Sequence, residues 1–312
     1  MTPLLLAYPG NGAVAEPLRS ALQAESVRFA MRRFPDGETY LRIESDVRDS
    51  AVVLVCSLRD PNSHFVPLIF MRDTLRELGA REVGLVAPYL AYMRQDRRFL
   101  AGEAVTSTSF ASLLSARFDW IVTVDPHLHR RHSLSEIYTI PAEAVHAAPL
   151  LSAWIRANVT KPVVVGPDSE SEQWVRAVAG AVDCPYFVLK KIRRGDRTVV
   201  ISAVHELHRW SDHTPVLVDD IISSAVTMSE TLRQFAEARL PPPVCLGVHG
   251  VFASGAYEML RAAGASRIVT TNSIEHVSND IDVSAVLVAP VRRLLGSASE
   301  ASTEWREAVL ER

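Results

Sequence analysis

The residues best suited to chemistry lie in Val216–Glu230, where an apolar run ends in two adjacent carboxylates, Asp219 and Asp220. A hydroxyl-rich loop follows, and the pattern predicts a helix that begins near Thr227. Amides at a helix N-terminus can bind a phosphate, and the carboxylates can accept hydrogen bonds from a diol or hold a hydrated metal ion. The alternative is a plain helix cap with two solvated acids, but acids that end a buried strand favour the functional interpretation.

Five further segments combine polar side chains with a predicted turn or strand end. Each also has an ordinary structural interpretation: a β-turn, a solvated charge run, structural histidines, a helix cap or a solvated basic hairpin. In chain order they are Phe34–Ile43 with a Pro-Asp-Gly turn, Ala87–Leu114 with Arg94 to Arg98, Ile121–Arg130 with His127 and His129, Val163–Val175 with Pro167-Asp168, and Val188–Ser202 with five basic residues.

The two histidines stand at alternating positions, beside Asp125. Alternating positions of an extended segment point to opposite sides, so His127 and His129 need not share one metal ion. The arginines from Arg94 onward suit phosphate recognition, because a guanidinium makes paired hydrogen bonds to an oxyanion.

Alternating strands and helices must position these residues. Short apolar runs predict buried parallel strands at Val52–Val55, Val83–Val86, Trp120–Val124, Val163–Val165, Val216–Val218 and Ile268–Thr270. Amphipathic stretches at Val66–Leu78 and Thr227–Ala238 predict helices between strands. This order predicts an α/β fold with doubly wound parallel sheets, in which ligands gather at the carboxyl ends of the strands.

A weak internal repeat predicts two similar domains. Segments that start at Val52 and Pro215 both read as strand, polar loop, helix ending near Thr-Leu-Arg, turn and strand. The second copy has Asp219-Asp220 where the first has Cys56-Ser57, so the acids belong to one domain only. We expect the domains to be 1–148 and 149–312.

Composition excludes several classes. The chain has 312 residues, 48% of them hydrophobic, and a formal net charge of −3, which argues against a polybasic nucleic-acid binder. No run is long enough to span a membrane, and the three cysteines have neither disulfide nor zinc spacing. We expect a cytoplasmic protein with no nucleic-acid or membrane partner.

Taken in order, the six segments resemble the ribose-phosphate pyrophosphokinases (PRPP synthetases), and the segments around Gly102-Glu103 and Ser169–Glu172 are closer to the archaeal-type branch. The resemblance implies two phosphoribosyltransferase-like domains, the N-terminal one with ATP and oligomer contacts. It also implies a Mg²⁺-dependent transfer of the diphosphoryl group of ATP to ribose 5-phosphate, giving PRPP and AMP. A homo-oligomer is implied as well, with the ATP site near a subunit interface.

The resemblance also assigns residues to roles. It implies catalytic residues Lys191 and Arg193; ATP-binding residues Phe34, Asp36, Glu38, Arg94, Gln95 and His127; metal-binding residues His127 and Asp168; and ribose-5-phosphate-binding residues Asp219, Asp220, Ser223, Ser224, Ala225, Val226 and Thr227. The role of His129 stays open.

The loop Ser223–Thr227 departs from the family pattern, since it lacks the usual acid and both glycines. Because a β-branched residue is strained at positive φ, we expect this loop to use only right-handed or extended conformations. The departure keeps two alternatives open. One is a non-catalytic regulatory subunit associated with a PRPP synthetase, and the other is a phosphoribosyltransferase that consumes PRPP.

Overall fold

The computed structural model describes residues 2–128, 130–167, 171–189, 191–194, 197–200 and 208–296, of which 173, 191–194, 197–200 and 208 are described by their backbone only. The chain divides into two compact units. The first unit consists of the residues up to Val145 together with those from Val283 onward, and the second unit is His146–Asp282. No helix in the described ranges has both the length and the apolar character that a membrane span needs.

The N-terminal unit contains a six-stranded, fully parallel sheet of order β2-β1-β5-β6-β7-β8. A separate antiparallel hairpin, β3–β4, comes after β2 and before β5 in the sequence. The strands of the N-terminal unit are β1 (Leu4–Ala7), β2 (Glu25–Ser26), β3 (Phe29–Arg33), β4 (Thr39–Ile43), β5 (Ala51–Val55), β6 (Glu82–Ala87), β7 (Ile121–Val124) and β8 (Ala142–Val145). Its helices are α1 (Gly12–Leu22), α2 (Pro61–Glu77) and α3 (Thr106–Ser115), with a 3₁₀ turn at Leu134–Glu136.

The C-terminal unit repeats this topology. Its parallel sheet has the order β10-β9-β13-β14-β15-β16, and the antiparallel hairpin β11–β12 stands at the same place in the sequence of elements. The strands are β9 (Pro162–Gly166), β10 (Tyr186–Val188), β11 (Lys191–Arg194), β12 (Arg197–Val200), β13 (Thr214–Ile222), β14 (Val244–Gly250), β15 (Arg267–Thr271) and β16 (Asn279–Ile281). The helices are α4 (Ala148–Asn158), α5 (Glu172–Val182), α6 (Val226–Glu237) and α7 (Ala256–Ala262), with a 3₁₀ turn at His208–Trp210.

The predicted α/β class is confirmed, and each predicted strand and helix is present. The central strands are buried along their length, as in β5 and β6, because helices cover both faces of a parallel sheet. Strand β13 is longer than predicted. It continues past Asp219 because Ile221 and Ile222 pair with His249 and Gly250 of β14.

Residues 284–296 form a last helix, α8, which belongs to the N-terminal unit. The guanidinium of Arg292 donates to the carbonyl oxygen of Ala21, and Arg293 Nε donates to Glu143 Oε1 at 3.0 Å. The expected ranges 1–148 and 149–312 place this helix in the C-terminal domain instead. The first division of the chain, between Val145 and His146, lies three residues from the expected boundary.

Candidate active site

The carboxyl edge of the C-terminal sheet carries the acid pair. Asp219 and Asp220 are half-buried near the end of β13, and Asp219 Oδ1 accepts a hydrogen bond from the amide of Asp220 at 3.0 Å. Three residues after the pair, the loop 223–227 begins, and α6 starts within it at Val226. The structure therefore brings the acids and the loop to one sheet edge.

The expectation that this loop avoids left-handed backbone is wrong. Ala225, the residue before α6, has φ 60° and ψ 4°. The left-handed conformation falls on alanine, whose small side chain tolerates it better than a β-branched one, and Val226 takes the first helical position. The turn into α6 is thus made without glycine.

The loop is tied to the segment after β14. The amide of Phe252 donates to the carbonyl of Ile222 at 2.9 Å, and the amide of Ala253 donates to the carbonyl of Ser223 at 3.0 Å. A Cβ atom at Gly247 would lie 2.7 Å from the side chain of Ile222, so a glycine lets β14 and Ile222 approach closely. These contacts fix the position of the loop relative to the sheet.

The first turn of α6 is suited to an anion. No side chain caps it in the described part of the chain, and its dipole places partial positive charge at the loop. Ser224 is exposed, while Ser223 and Thr227 are half-buried. The hydroxyls, the helix amides and the two carboxylates together can bind a ligand that has a phosphate at one end and hydroxyls at the other.

In the N-terminal unit, two predicted segments meet after β6 and β7. Arg130 Nη1 lies 3.0 Å from Asp96 Oδ1, and Arg131 Nη2 donates to the backbone carbonyl of Asp96 at 3.4 Å. The segment that carries Arg94 and Gln95 is therefore joined to the segment that carries His127. Sequence reasoning assigned no role to Asp96 or Arg130, since a pair 34 residues apart leaves no local pattern.

The backbone of these segments is strained at three residues. Tyr92, Asp125 and His127 have φ values of 63°, 34° and 53°. The amide of His127 donates to the carbonyl of Asp125 at 2.8 Å, which makes a tight turn directly after β7. Strain of this kind persists only where the surroundings hold it, and it is concentrated at functional sites.

Of the predicted ATP-binding side chains here, Arg94 is exposed and Gln95 is half-buried. Gln95 Oε1 accepts a hydrogen bond from Thr106 Oγ1 at 3.3 Å. Phe99 is 56% exposed, and the guanidinium of Arg97 lies 4.7 Å from its ring centre. The segment thus presents guanidinium groups and an aromatic face to solvent, a combination that suits a nucleotide.

Phe34, Asp36 and Glu38 lie in the turn of the β3–β4 hairpin. Gly37 has φ 95°, and Asp36 Oδ1 accepts a hydrogen bond from the amide of Glu38 at 3.1 Å. The guanidinium of Arg32 lies 4.5 Å from the ring centre of Phe34. All three predicted residues are exposed, so this hairpin presents them outward.

The remaining predicted residues are less fully described. Lys191 and Arg193 lie on β11, at backbone positions that pair with Val200 and Thr198 of β12. Asp168 and His129 lie outside the described residues. Among the residues that are described, no group of three histidine, cysteine, aspartate or glutamate side chains could hold a metal ion.

The cysteines are poorly suited to act as nucleophiles. Cys56, Cys184 and Cys245 are free, and burial raises the pKa of each thiol, to about 12 for Cys245. A raised pKa disfavours the reactive thiolate at neutral pH.

The repeated sheets, and the acid pair that leads into a helix N-terminus, define a protein built of two phosphoribosyltransferase-type domains. Family models agree: one for the N-terminal domain of ribose phosphate pyrophosphokinase matches residues 4–117, and one for the phosphoribosyl transferase domain matches residues 133–285. The chain belongs to the ribose-phosphate pyrophosphokinase family.

Several curated relatives of high similarity are archaeal. The ribose-phosphate pyrophosphokinase of Sulfurisphaera tokodaii is 30% identical over 294 residues, which cover 93% of this chain and 100% of the relative. That of Methanopyrus kandleri is 32% identical and covers 94% and 100%. The crystal structure of phosphoribosylpyrophosphate synthetase from Mycobacterium smegmatis has the same fold, with a TM-score of 0.81 at 22% identity over 95% of this chain and 100% of that one. The predicted family, its archaeal affinity and the enzyme class are confirmed.

Proposed function

We propose that the protein transfers the diphosphoryl group of Mg-ATP to the anomeric hydroxyl of ribose 5-phosphate, giving PRPP and AMP. The observation that carries this proposal is the edge of the C-terminal sheet, where Asp219 and Asp220 lead into an uncapped helix N-terminus. A ribose phosphate has the matching chemistry, with a diol for the carboxylates and a dianion for the helix.

Ribose 5-phosphate is held in two places in this proposal. Asp219 and Asp220 accept hydrogen bonds from the sugar hydroxyls. The 5-phosphate receives hydrogen bonds from the amides and hydroxyls of loop 223–227, at the positive end of α6. The left-handed Ala225 next to a helical residue is the kind of backbone turn whose successive amides can bind an anion.

ATP is held by the N-terminal unit. Arg94 and Gln95 bind its polar groups, and the Arg130–Asp96 pair holds their segment beside that of His127. Phe34, Asp36 and Glu38 are exposed on a hairpin, which suits a site completed by the hairpin of a second copy of this chain. We therefore propose a homo-oligomer with the adenine site near its interface.

Lys191 and Arg193 supply the catalytic charge. Transfer between phosphates needs in-line positioning and neutralisation of charge on the transferred group, and two cations on one hairpin strand provide both. Closure of the hairpin over the substrates would exclude water and so prevent hydrolysis of ATP. The attacking hydroxyl needs no strong base, because the phosphorus is highly polarised.

A carboxylate beside the phosphates of a nucleotide suits magnesium. Mg²⁺ takes one or two carboxylates together with substrate phosphates and keeps several waters, so it needs no dedicated cluster of three side chains. His127 and Asp168 would hold the ion with its nucleotide, and the ion would neutralise charge on the phosphate oxygens when bound. Three free thiols, two of them buried, suit a reducing compartment, and we propose that the protein is cytoplasmic.

The regulatory-subunit alternative rests on the altered loop. The altered loop is weaker support for this alternative because Ala225 adopts the left-handed conformation that a glycine would otherwise provide. A phosphoribosyltransferase that consumes PRPP would leave the N-terminal pyrophosphokinase domain at 4–117 unexplained. The catalytic interpretation accounts for both halves of the chain.

The deciding experiment measures AMP formed by the purified protein from Mg-ATP, with and without ribose 5-phosphate. We expect AMP only in the presence of the sugar phosphate, with PRPP in equal amount. Folded protein that binds ATP and forms no AMP would favour the regulatory subunit. If AMP forms only with a different sugar phosphate, that sugar phosphate is the acceptor in place of ribose 5-phosphate.

A further inference from the structure

Three aromatic rings pack together behind the loop 223–227. Phe252 and His276 have ring centres 4.4 Å apart with planes inclined by 33°, a close but tilted contact. Tyr257 meets both rings edge-on, at 5.6 Å from Phe252 and 5.0 Å from His276. These residues follow β14 and β15, and the proposed chemistry does not use them.

Phe252 connects this cluster to the loop. Its amide and that of Ala253 donate to the carbonyls of Ile222 and Ser223, the last residue of β13 and the first of the loop. Phe252 has φ 38°, a strained value for a bulky residue, and its side chain is buried. Such a conformation needs support from its surroundings, and the ring contacts of Phe252 supply it.

His276 is itself held in one orientation. Its Nδ1 accepts a hydrogen bond from the amide of Ser278 at 3.2 Å and lies 2.8 Å from the Ser278 hydroxyl. An accepting Nδ1 places the proton of the neutral ring on Nε2. The amide of His276 donates to Asn279 Oδ1 at 2.9 Å. Ring and backbone are therefore both fixed, and the ring forms a rigid support for Phe252.

We propose that His276 is a positioning residue for ribose 5-phosphate. By packing against Phe252 it holds the two amides that donate to the carbonyls of Ile222 and Ser223, and so sets the shape of the phosphate loop. The inference rests on the proposed function, since it names a residue that tunes the same site. Loss of the ring should weaken binding of the sugar phosphate and leave ATP, bound by the other unit, unaffected.

The test separates the ring from the hydrogen bond. His276→Gln removes the ring, and His276→Phe keeps the ring but loses the acceptor. We expect KM for ribose 5-phosphate to rise roughly two- to tenfold in the Gln variant, which is what an aromatic pair is worth, and to stay within about twofold in the Phe variant. KM for ATP should not change in either. The matched control is Val277→Ala, at a neighbouring position that is 84% exposed.

Tyr257→Leu is a second variant, to be used if His276→Gln does not fold. It removes only the edge contacts, so it should raise KM for ribose 5-phosphate by a smaller factor. Equal rises in the KM values for both substrates would overturn the inference, as would a Gln variant that matches the wild type. If the folded wild-type protein binds no ribose 5-phosphate in calorimetry and forms no AMP, the proposed function itself is overturned, and the assigned role with it.

Discussion

Arg130 and Asp96 form an ion pair at 3.0 Å, with the Asp96 side chain only 7% exposed. The pair joins two segments that the chain separates by β7 and that each carry a proposed ATP-binding residue. Because the carboxylate is largely shielded from solvent, the interaction is screened less than a surface pair. Arg130 also lies 5.5 Å from the ring centre of Phe99, so one guanidinium contacts both a carboxylate and an aromatic face.

Asp96→Asn should raise KM for ATP by roughly tenfold, because a charge-assisted hydrogen bond is lost and Arg94 and Gln95 are held less firmly. KM for ribose 5-phosphate should stay unchanged, which steady-state kinetics with each substrate varied in turn will check. The matched control is Asp46→Asn, whose partner Arg48 lies 2.6 Å away with both side chains mostly exposed. A change in both KM values would contradict the local role.

Lys191→Ala should lower turnover by about 10²- to 10⁴-fold while both substrates still bind, since the lysine acts on charge that develops in the transition state. Single-turnover kinetics and equilibrium binding of ATP and ribose 5-phosphate measure the two effects separately. Lys161→Ala is the control, because Lys161 forms an exposed pair with Asp212 at 2.9 Å. Binding lost in proportion to turnover would remove Lys191 from the catalytic role.

Ala225→Gly should change the free energy of unfolding by no more than about 1 kcal/mol, because relief of the left-handed strain offsets the greater entropy of unfolded glycine. Ala225→Val should destabilise the protein by about 2 kcal/mol and raise KM for ribose 5-phosphate. Denaturant unfolding and kinetics check both. Ala236→Val, at an exposed position of α6, should cost no more than about 0.7 kcal/mol. If the two valine substitutions destabilise the protein equally, strain at residue 225 is not the cause of the destabilisation.

Glu82 should make stability depend on pH. Burial raises the pKa of this carboxyl above its ordinary 4.5, although Trp120 Nε1 donates a hydrogen bond to it. A folded-state pKa above the unfolded one means that stability is fully present below about 4.5 and is lost as pH rises through the raised value. Glu82→Gln should remove that loss, which unfolding free energies at pH 5 and pH 8 will measure. A variant with the wild-type pH dependence would show that another group titrates.

Much of the fold could be predicted because the signal is local. The strands around Val53, Val164 and Val216 are buried on both faces, and such strands appear in the sequence as apolar runs. The repeat revealed that the two sheets share a topology. The short edge strands Glu25–Ser26 and Asn279–Ile281 escaped prediction, since two or three residues carry no periodicity.

The site was harder to predict where it depends on distant contacts. Asp219 and Asp220 were found because a strand end and a helix start enclose them. The Arg130–Asp96 pair and the support of Phe252 by His276 join residues that only the fold brings together. The left-handed Ala225 was missed because sequence reasoning weighed the strain on Val226 and not the freedom of its smaller neighbour.

The placement of α8 bears on how the protein is synthesised. The N-terminal unit needs residues from both ends of the chain, while His146–Asp282 is continuous. On the ribosome, the second unit can therefore complete its fold before α8, which the first unit needs, has left the exit tunnel. The usual order of co-translational folding, from the N-terminus onward, is reversed for the final step. A nascent chain whose residues up to Asp282 have left the exit tunnel would carry one finished domain and one with the surface for α8 still exposed.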